Sequence, residues 1–362
     1  MHDSSVLPEA AAPARPSASL QERLLARAVP LAVAIAALVY LVTLLLLPRD
    51  GFWVVDNENK FLQMEALIRS GYRSAVLPYP GHALDPEFQF RPIPAPFGIV
   101  QEDQIFSQYP VYFALVSSLP YRLLGFDGLY VLPLLAGLGM LFAVARLGRW
   151  LGLSRKAQAG AVLLTAFASP LWFYSVNFWE HTLALCLCLW GVAFCFAYAE
   201  ERRERDLALG AALMAASLYF REELLLFVPP LLAVMLLQVR KGEGPDGSLA
   251  MERAKITVRF VGVLLVAMVP LFLLNQYYTG HTTGMHATEN MRSSTGLLGH
   301  LAFRPVAFYR LFIALHYLPG ISYLLAAPYL LLFFWNPRLD DRRFLHAVPL
   351  AAAAATVSFG VT

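Results

Sequence analysis

Residues 29–47 read VPLAVAIAALVYLVTLLLL, a run without one charged side chain. A helix needs about 20 apolar residues to cross the hydrocarbon core of a bilayer, and this run is long enough. A secretory signal has an apolar core of about 7–15 residues followed by a small-residue cleavage site. Neither feature fits here, so the run reads as a retained first span. Upstream lies a stretch rich in Ala, Pro and Ser, residues 1–27, which is predicted to be a flexible cytoplasmic tail. Downstream, apolar runs recur at 129–145, 157–174, 182–199, 207–220, 224–239, 260–274, 319–335 and 344–362. The run at 207–220 is short for a crossing, so either its ends are approximate or its neighbours shield it.

Composition agrees with this reading. Hydrophobic residues make up 58% of the 362 positions and charged residues 15%, against about 45–50% and about 25% in soluble domains. Mean hydropathy is +0.56. A net charge of +3 is too small to suggest a nucleic-acid partner, and the basic residues sit in short clusters between the apolar runs. Cys186, Cys188 and Cys195 all fall inside one run, spaced neither as a zinc pair nor as a disulfide framework.

Lys and Arg fix the expected orientation, because cytoplasmic loops retain positive charge. With the tail inside, most of the 28 basic residues fall in cytoplasmic segments. Residues 49–108 carry 5 basic against 8 acidic residues, as an outer loop should. This orientation requires residues 109–124 not to cross, since a crossing there would invert every later loop. Ser117, Ser118, Pro120 and Arg122 also interrupt that run, so it is predicted to be an interfacial helix on the outer side. The expected architecture is an all-α polytopic membrane protein of about nine transmembrane helices. Residues 28–362 form the membrane domain, with outer loops at 48–126 and 276–318. The last run meets the chain end without a flanking anchor, which reads as a truncation.

The first outer loop is too long to be a simple connection. Residues 56–70 predict an amphipathic helix, with Phe61, Met64, Leu67 and Ile68 on one side and Asn59, Lys60, Gln63 and Arg69 on another. Gly71 then closes it. Six prolines between Pro78 and Pro96 predict an extended, irregular stretch, and Glu102-Asp103 follows. Carboxylates held at a bilayer boundary are costly unless paired or used, so these are site candidates. Asp56 has two readings at this stage, a helix N-cap or a catalytic carboxylate, and Glu58 fits a helix N-terminus equally well.

Four stretches together resemble the GT-C superfamily of polyprenyl-phosphate-sugar-dependent glycosyltransferases. They are Asp56-Asn57-Glu58, then Gln108-Tyr109-Pro110-Val111-Tyr112 with Leu123-Leu124-Gly125, then Phe220-Arg221-Glu222-Glu223-Leu224, and Asn275-Gln276-Tyr277-Tyr278-Thr279-Gly280-His281. The closest likeness is to the protein O-mannosyltransferase and lipid A aminoarabinose transferase group, whose second proline after the tyrosine is Val111 here. The resemblance implies transfer of a sugar from a polyprenyl-phosphate donor to a glycan, lipid or protein acceptor. The charge-derived topology puts that activity on the outer face, and abundant Ala, Leu and Arg with no glycosylation sequon suggest the periplasmic side of a bacterial inner membrane.

Such a reaction, inverting by direct displacement, needs one base and cations for the departing phosphate. Asp56 is the candidate base, with Glu58 beside it. Arg221 is the leading phosphate ligand because its fork matches phosphate oxygens, although a local salt bridge closing the turn also accounts for it. Glu102, Asp103, Glu180, His181, Glu222, Tyr277, His281 and Arg292 complete the candidate substrate-binding set, with His300 behind them. His281 also reads as an ordinary surface histidine, and the aromatic belt around Trp179 explains everything there except Glu180. The residues assign no cofactor, and an already activated donor requires no nucleotide-binding motif. A divalent cation, magnesium or manganese, would need Asp56, Glu58, Glu102 and Asp103 to converge. The rival reading is a polytopic transporter or flippase of envelope intermediates, which would place binding groups on broken helices near the midplane.

Overall fold

The computed structural model describes residues 27–91, 93–238, 248–286 and 288. The tail at 1–26, Arg292, His300 and the runs at 319–335 and 344–362 lie outside the described residues. Among the described residues, four helical stretches are long and apolar enough to cross a membrane: Ala28–Leu46, Val111–Trp150, His181–Glu201 and Leu249–Thr279. The chain is thus a mostly helical, membrane-embedded protein.

Helix α1 (Ala28–Leu46) stops where Leu47 turns extended ahead of Pro48, and Arg49 donates to the Leu44 carbonyl at 2.7 Å. Helix α2 (Val55–Arg69) follows. Gly71 closes it with φ +63°, the C-terminal glycine the sequence predicts. The proline-rich stretch then departs from expectation. It frames a three-stranded antiparallel sheet of β1 (Val76–Leu77), β2 (Gly98–Gln101) and β3 (Gln104–Ser107), in the order β1-β3-β2. Strands this short leave almost no alternation to read. The sheet rests on a small core of Ala66, Leu77, Phe88, Ile93 and Ile105.

Helix α3 (Val111–Leu124) packs against α2 and ends at Gly125, φ +62°. A 3-10 turn, Gly125–Tyr130, leads into α4 (Val131–Trp150). The run at 157–174 is not one helix. α5 (Arg155–Phe167), capped by the Ser154 hydroxyl, stops before Ser169-Pro170, and the short α6 (Leu171–Ser175) starts anew. Pro170 cannot donate the N–H that a continuous helix requires there.

After α7 (His181–Glu201) and α8 (Glu204–Leu218), the run at 224–239 divides into a 3-10 turn, Glu222–Phe227, and α9 (Val228–Leu237). The last described helix, α10 (Leu249–Thr279), outruns its apolar stretch at both ends. Its polar first turns stay helical because the Ser248 hydroxyl accepts from Met251 N at 3.1 Å.

Side-chain contacts fix which ends meet. Tyr40 donates to the Ala166 carbonyl at 2.9 Å and Trp172 to Thr43 at 3.1 Å, tying the end of α1 to α5 and α6. Helices α7 and α8 approach closely: a Cβ built on Gly191 or Gly210 would lie 3.2 Å from the other glycine's carbonyl oxygen. Small residues at such crossings let backbones touch where apolar burial gives no drive in lipid. The short α8 is shielded in this way, with Leu207, Ala211, Met214 and Ala215 all buried. All three cysteines are free, and Cys188 and Cys195 are packed in the core with them.

Candidate active site

One end of the helix assembly gathers the candidate residues. Helix α2 lies there, and its polar side is not solvated as the amphipathic pattern predicts. Asn57, Asn59, Lys60 and Gln63 are as buried as Met64 and Leu67. Periodicity separates polar from apolar residues but does not say which side faces water, and this helix is covered on both apart from exposed positions such as Glu58 and Arg69.

At the centre is Glu180, buried, the residue immediately before α7. Lys60 Nζ lies 3.2 Å from Glu180 Oε2, with side-chain exposures of 2% and 4%. Arg221 Nη1 reaches Glu180 Oε1 at 3.4 Å and Arg221 Nη2 reaches Glu223 at 2.9 Å. His181 Nδ1 is 3.8 Å from Glu180 and its ring stacks on Tyr174. Aromatic faces complete the enclosure: Lys60 Nζ stands 3.7 Å from the Tyr109 ring centroid and 5.5 Å from that of Trp179.

Burial alone would raise the Glu180 carboxyl, but Lys60, His181 and Arg221 outweigh it and hold it below its ordinary range. Burial pulls the Lys60 ammonium down, and Glu180 and Asp56 offset that only in part. For Arg221 the balance reverses: burial disfavours its charge, while Glu223 and Glu180 raise it further above its ordinary value. Glu180 is therefore the anchor, shared by two cations.

Asp56 stands half-buried, one helical turn before Lys60. It is not the N-cap. Val54 occupies that position, no side chain caps the helix, and Asp56 is already inside the first turn. The Asp56 carboxylate faces the Tyr109 hydroxyl, and burial together with that carboxylate raises the phenol well above its ordinary value. Asn57 donates to Asn177 at 3.3 Å and Gln63 to the Tyr109 carbonyl at 2.9 Å. Asn59 Nδ2 and Gln63 Oε1, both buried, have no hydrogen-bond partner among the described residues. Buried orphans of this kind mark positions served by water or ligand.

Tyr109 also belongs to a second feature. A groove of about 210 Å³ runs beside it, walled by Tyr112, Tyr219, Leu225, Met268 and Phe272. Glu222, Asn275 and His286 add polar atoms to this lining. Glu222 pairs with His286, and that hydrogen bond raises the imidazole above its ordinary value. One face of the Tyr109 phenol thus serves the groove while the same residue touches both Lys60 and Asp56.

The other predicted residues are less central. Glu58 is exposed. Glu102 and Asp103 are the two exposed turn residues between β2 and β3, with φ of 50° and 58°. Two positive φ angles in a two-residue hairpin define a type I′ turn, which accounts for this pair without a ligand. The Asp56, Glu58, Glu102 and Asp103 set does not converge, and no group of three or more metal-ligating side chains forms among the described residues. Tyr277 is 62% exposed and packs on Tyr278. His281 Nε2 pairs with Gln101 at 2.8 Å, next to the hairpin turn.

Lys60, Tyr109 and His286 are the site residues that sequence reasoning missed. The signal for Lys60 was its spacing, four residues after Asp56 on a helix. Comparison with known proteins finds no matching family model, curated protein or solved structure.

Proposed function

We propose that the protein is an integral-membrane glycosyltransferase that moves a sugar from a polyprenyl-phosphate donor to an acceptor, with inversion, at the periplasmic face of a bacterial inner membrane. In this reading the full chain makes about nine crossings, and the end holding Glu180 faces outward. The observation that carries the proposal is the junction at Tyr109. An apolar groove suited to a lipid chain abuts a buried, charged cluster through one shared side chain. An amphiphilic donor needs that juxtaposition, and a soluble substrate does not.

Charge allots the roles. Lys60 and Arg221 are matched by Glu180 and Glu223, so Asp56 is the carboxylate left to act. The acceptor gives its proton to Asp56 as its oxygen or nitrogen attacks the anomeric carbon. The bond from that carbon to the phosphate oxygen breaks, and the electron pair leaves on the lipid phosphate. Arg221 uses two of its five N–H groups on carboxylates, leaving donors for that oxygen. Glu180 positions both cations. His286 beside the groove supplies a further cationic group when protonated.

The test is purified full-length protein given a panel of polyprenyl-phosphate sugars, with release of lipid phosphate as the readout. Asp56→Asn should lower release at least about a hundredfold while the protein still inserts and melts normally. Normal turnover in that variant removes Asp56 as base, and no release from any donor removes the transferase.

One observation favours a second reading, a transporter or flippase. The cluster sits at two interruptions in helix, the stretch 176–180 between α6 and α7 and the 3-10 turn Glu222–Phe227, and transporters build their sites on such breaks. Under that reading Asp56→Asn retains substrate flux in proteoliposomes and no sugar is transferred.

A further inference from the structure

The opposite end of the assembly holds a separate cleft of about 360 Å³, formed where the C-terminal ends of α4 and α7 come together. Its two walls differ in charge. Arg146 and Arg149, one turn apart on α4, make one wall, and Glu200 and Glu201 on α7 make the other, where Glu201 already holds Arg203 at 2.6 Å and keeps its second carboxylate oxygen for a further donor. Trp150, stacked on Phe196 at 4.0 Å between ring centroids, joins the lining between them. Arg146 lies over the Phe194 ring at 5.8 Å.

The surface leading to the cleft is apolar. Leu135 and Phe142 are 59% and 46% exposed, and with Arg149 they recur every seven residues along one side of α4. That spacing keeps them on one stripe. Both helices are long and apolar enough to cross a membrane, so the stripe faces lipid chains and the cleft lies at headgroup depth.

We infer that this cleft binds a zwitterionic aminophospholipid headgroup of the phosphatidylethanolamine type. Its phosphate meets Arg146 and Arg149, its ammonium meets Glu200 and Glu201, and a chain lies along Phe142 and Leu135. Paired arginines match phosphate oxygens through their forked donors. A primary ammonium offers three N–H donors to the facing carboxylates, in a region where two helix C-termini already favour positive charge. A purely anionic headgroup would satisfy the basic wall and repel the acidic one. A quaternary choline has no N–H to give. The inference is independent of the chemistry at the other end of the molecule.

The experiment is native mass spectrometry of the full-length protein released from nanodiscs holding equal parts of phosphatidylethanolamine, phosphatidylcholine and phosphatidylglycerol. Phosphatidylethanolamine should be retained over each of the others by about fivefold, the scale of one partly exposed ion pair. Arg149→Ala, at an exposed position, should lower its retention, and Glu200→Gln should abolish the preference over phosphatidylcholine. Free phosphoethanolamine and inorganic phosphate should not compete at millimolar concentration, since neither has a chain for the stripe. Equal retention of the three lipids overturns the inference, and so does retention that neither substitution alters. Preference for phosphatidylglycerol assigns the cleft to an anionic lipid instead, and competition by inorganic phosphate reduces it to a free-anion site.

Discussion

Replacing Lys60 by Met and Glu180 by Gln, singly and together, isolates what the buried pair contributes. The two groups stand 3.2 Å apart with 2% and 4% of their side chains exposed. Removing one member of such a pair strands a charge and costs about 3–5 kcal/mol. The structure orders the two variants. In Lys60→Met, Glu180 keeps Arg221 at 3.4 Å, so the loss should fall at the low end, about 3 kcal/mol. In Glu180→Gln, Arg221 keeps Glu223, and Lys60 can shed its proton because burial already pulls its ammonium down. That escape limits the loss to about 2 kcal/mol at neutral pH. The double variant removes both charges together and should lie within about 1.5 kcal/mol of the parent. The cycle then yields a coupling of at least about 3.5 kcal/mol in favour of the pair. Unfolding would be followed by tryptophan fluorescence in one detergent, with all four proteins at one concentration. If the two losses add to within about 0.5 kcal/mol in the double variant, the pair is not coupled and Glu180 is not the anchor described above.

Tyr109→Phe keeps the ring over Lys60 but deletes the hydroxyl that faces Asp56, so transfer should fall about tenfold, the scale of one polar interaction with a charged group. The fall should be in kcat more than in KM, and equal losses in Phe and Ala variants would contradict it. Asn-Gly in place of Glu102-Asp103 relieves two left-handed residues and should stabilise the protein by about 1 kcal/mol. Unchanged activity in that variant would fit the turn reading, and a loss would return the carboxylates to the site. His286 is raised above its ordinary 6.5 by Glu222, so the folded state binds its proton more tightly than the unfolded state. Its stabilisation is full below about pH 6.5 and fades as pH rises through the raised value. His286→Gln should flatten that slope in melting temperature against pH, and an unaltered slope would refute the pairing.

Much of this architecture is legible in the residues. The run at 29–47 gives α1 to within one residue at each end, because an uncharged run of span length has few alternatives. Gly71 and the helical nature of 109–124 follow from backbone sterics and pattern. The small sheet does not, since its strands are too short to alternate and its shape comes from the core beneath Phe88 and Ile93. In the site, charge placement alone assigns Asp56, Glu180 and Arg221 to one side, and the fold brings them to a common cluster. Lys60 escaped because a polar stripe on a loop helix reads as solvated, and only tertiary cover makes it an interior group. Glu102, Asp103 and Tyr277 were drawn in by their chemistry, yet local conformation and exposure account for them.

The contact of Gly191 with Gly210 works as the pivot of a pair of tongs. Each glycine lies eleven residues from a tip, Glu180 on one arm and Arg221 on the other, and the arms are hinged at the far end by Arg202 and Arg203. At 1.5 Å per residue each arm is about 16 Å long, so one degree of splay moves the tips apart by about 0.3 Å. A single methyl added at the pivot, with Cys195 Sγ 2.7 Å from where it would stand, is thereby magnified at the jaws. The separation of the anchor carboxylate from its guanidinium is thus gauged in the middle of the molecule, at two residues that never touch a substrate.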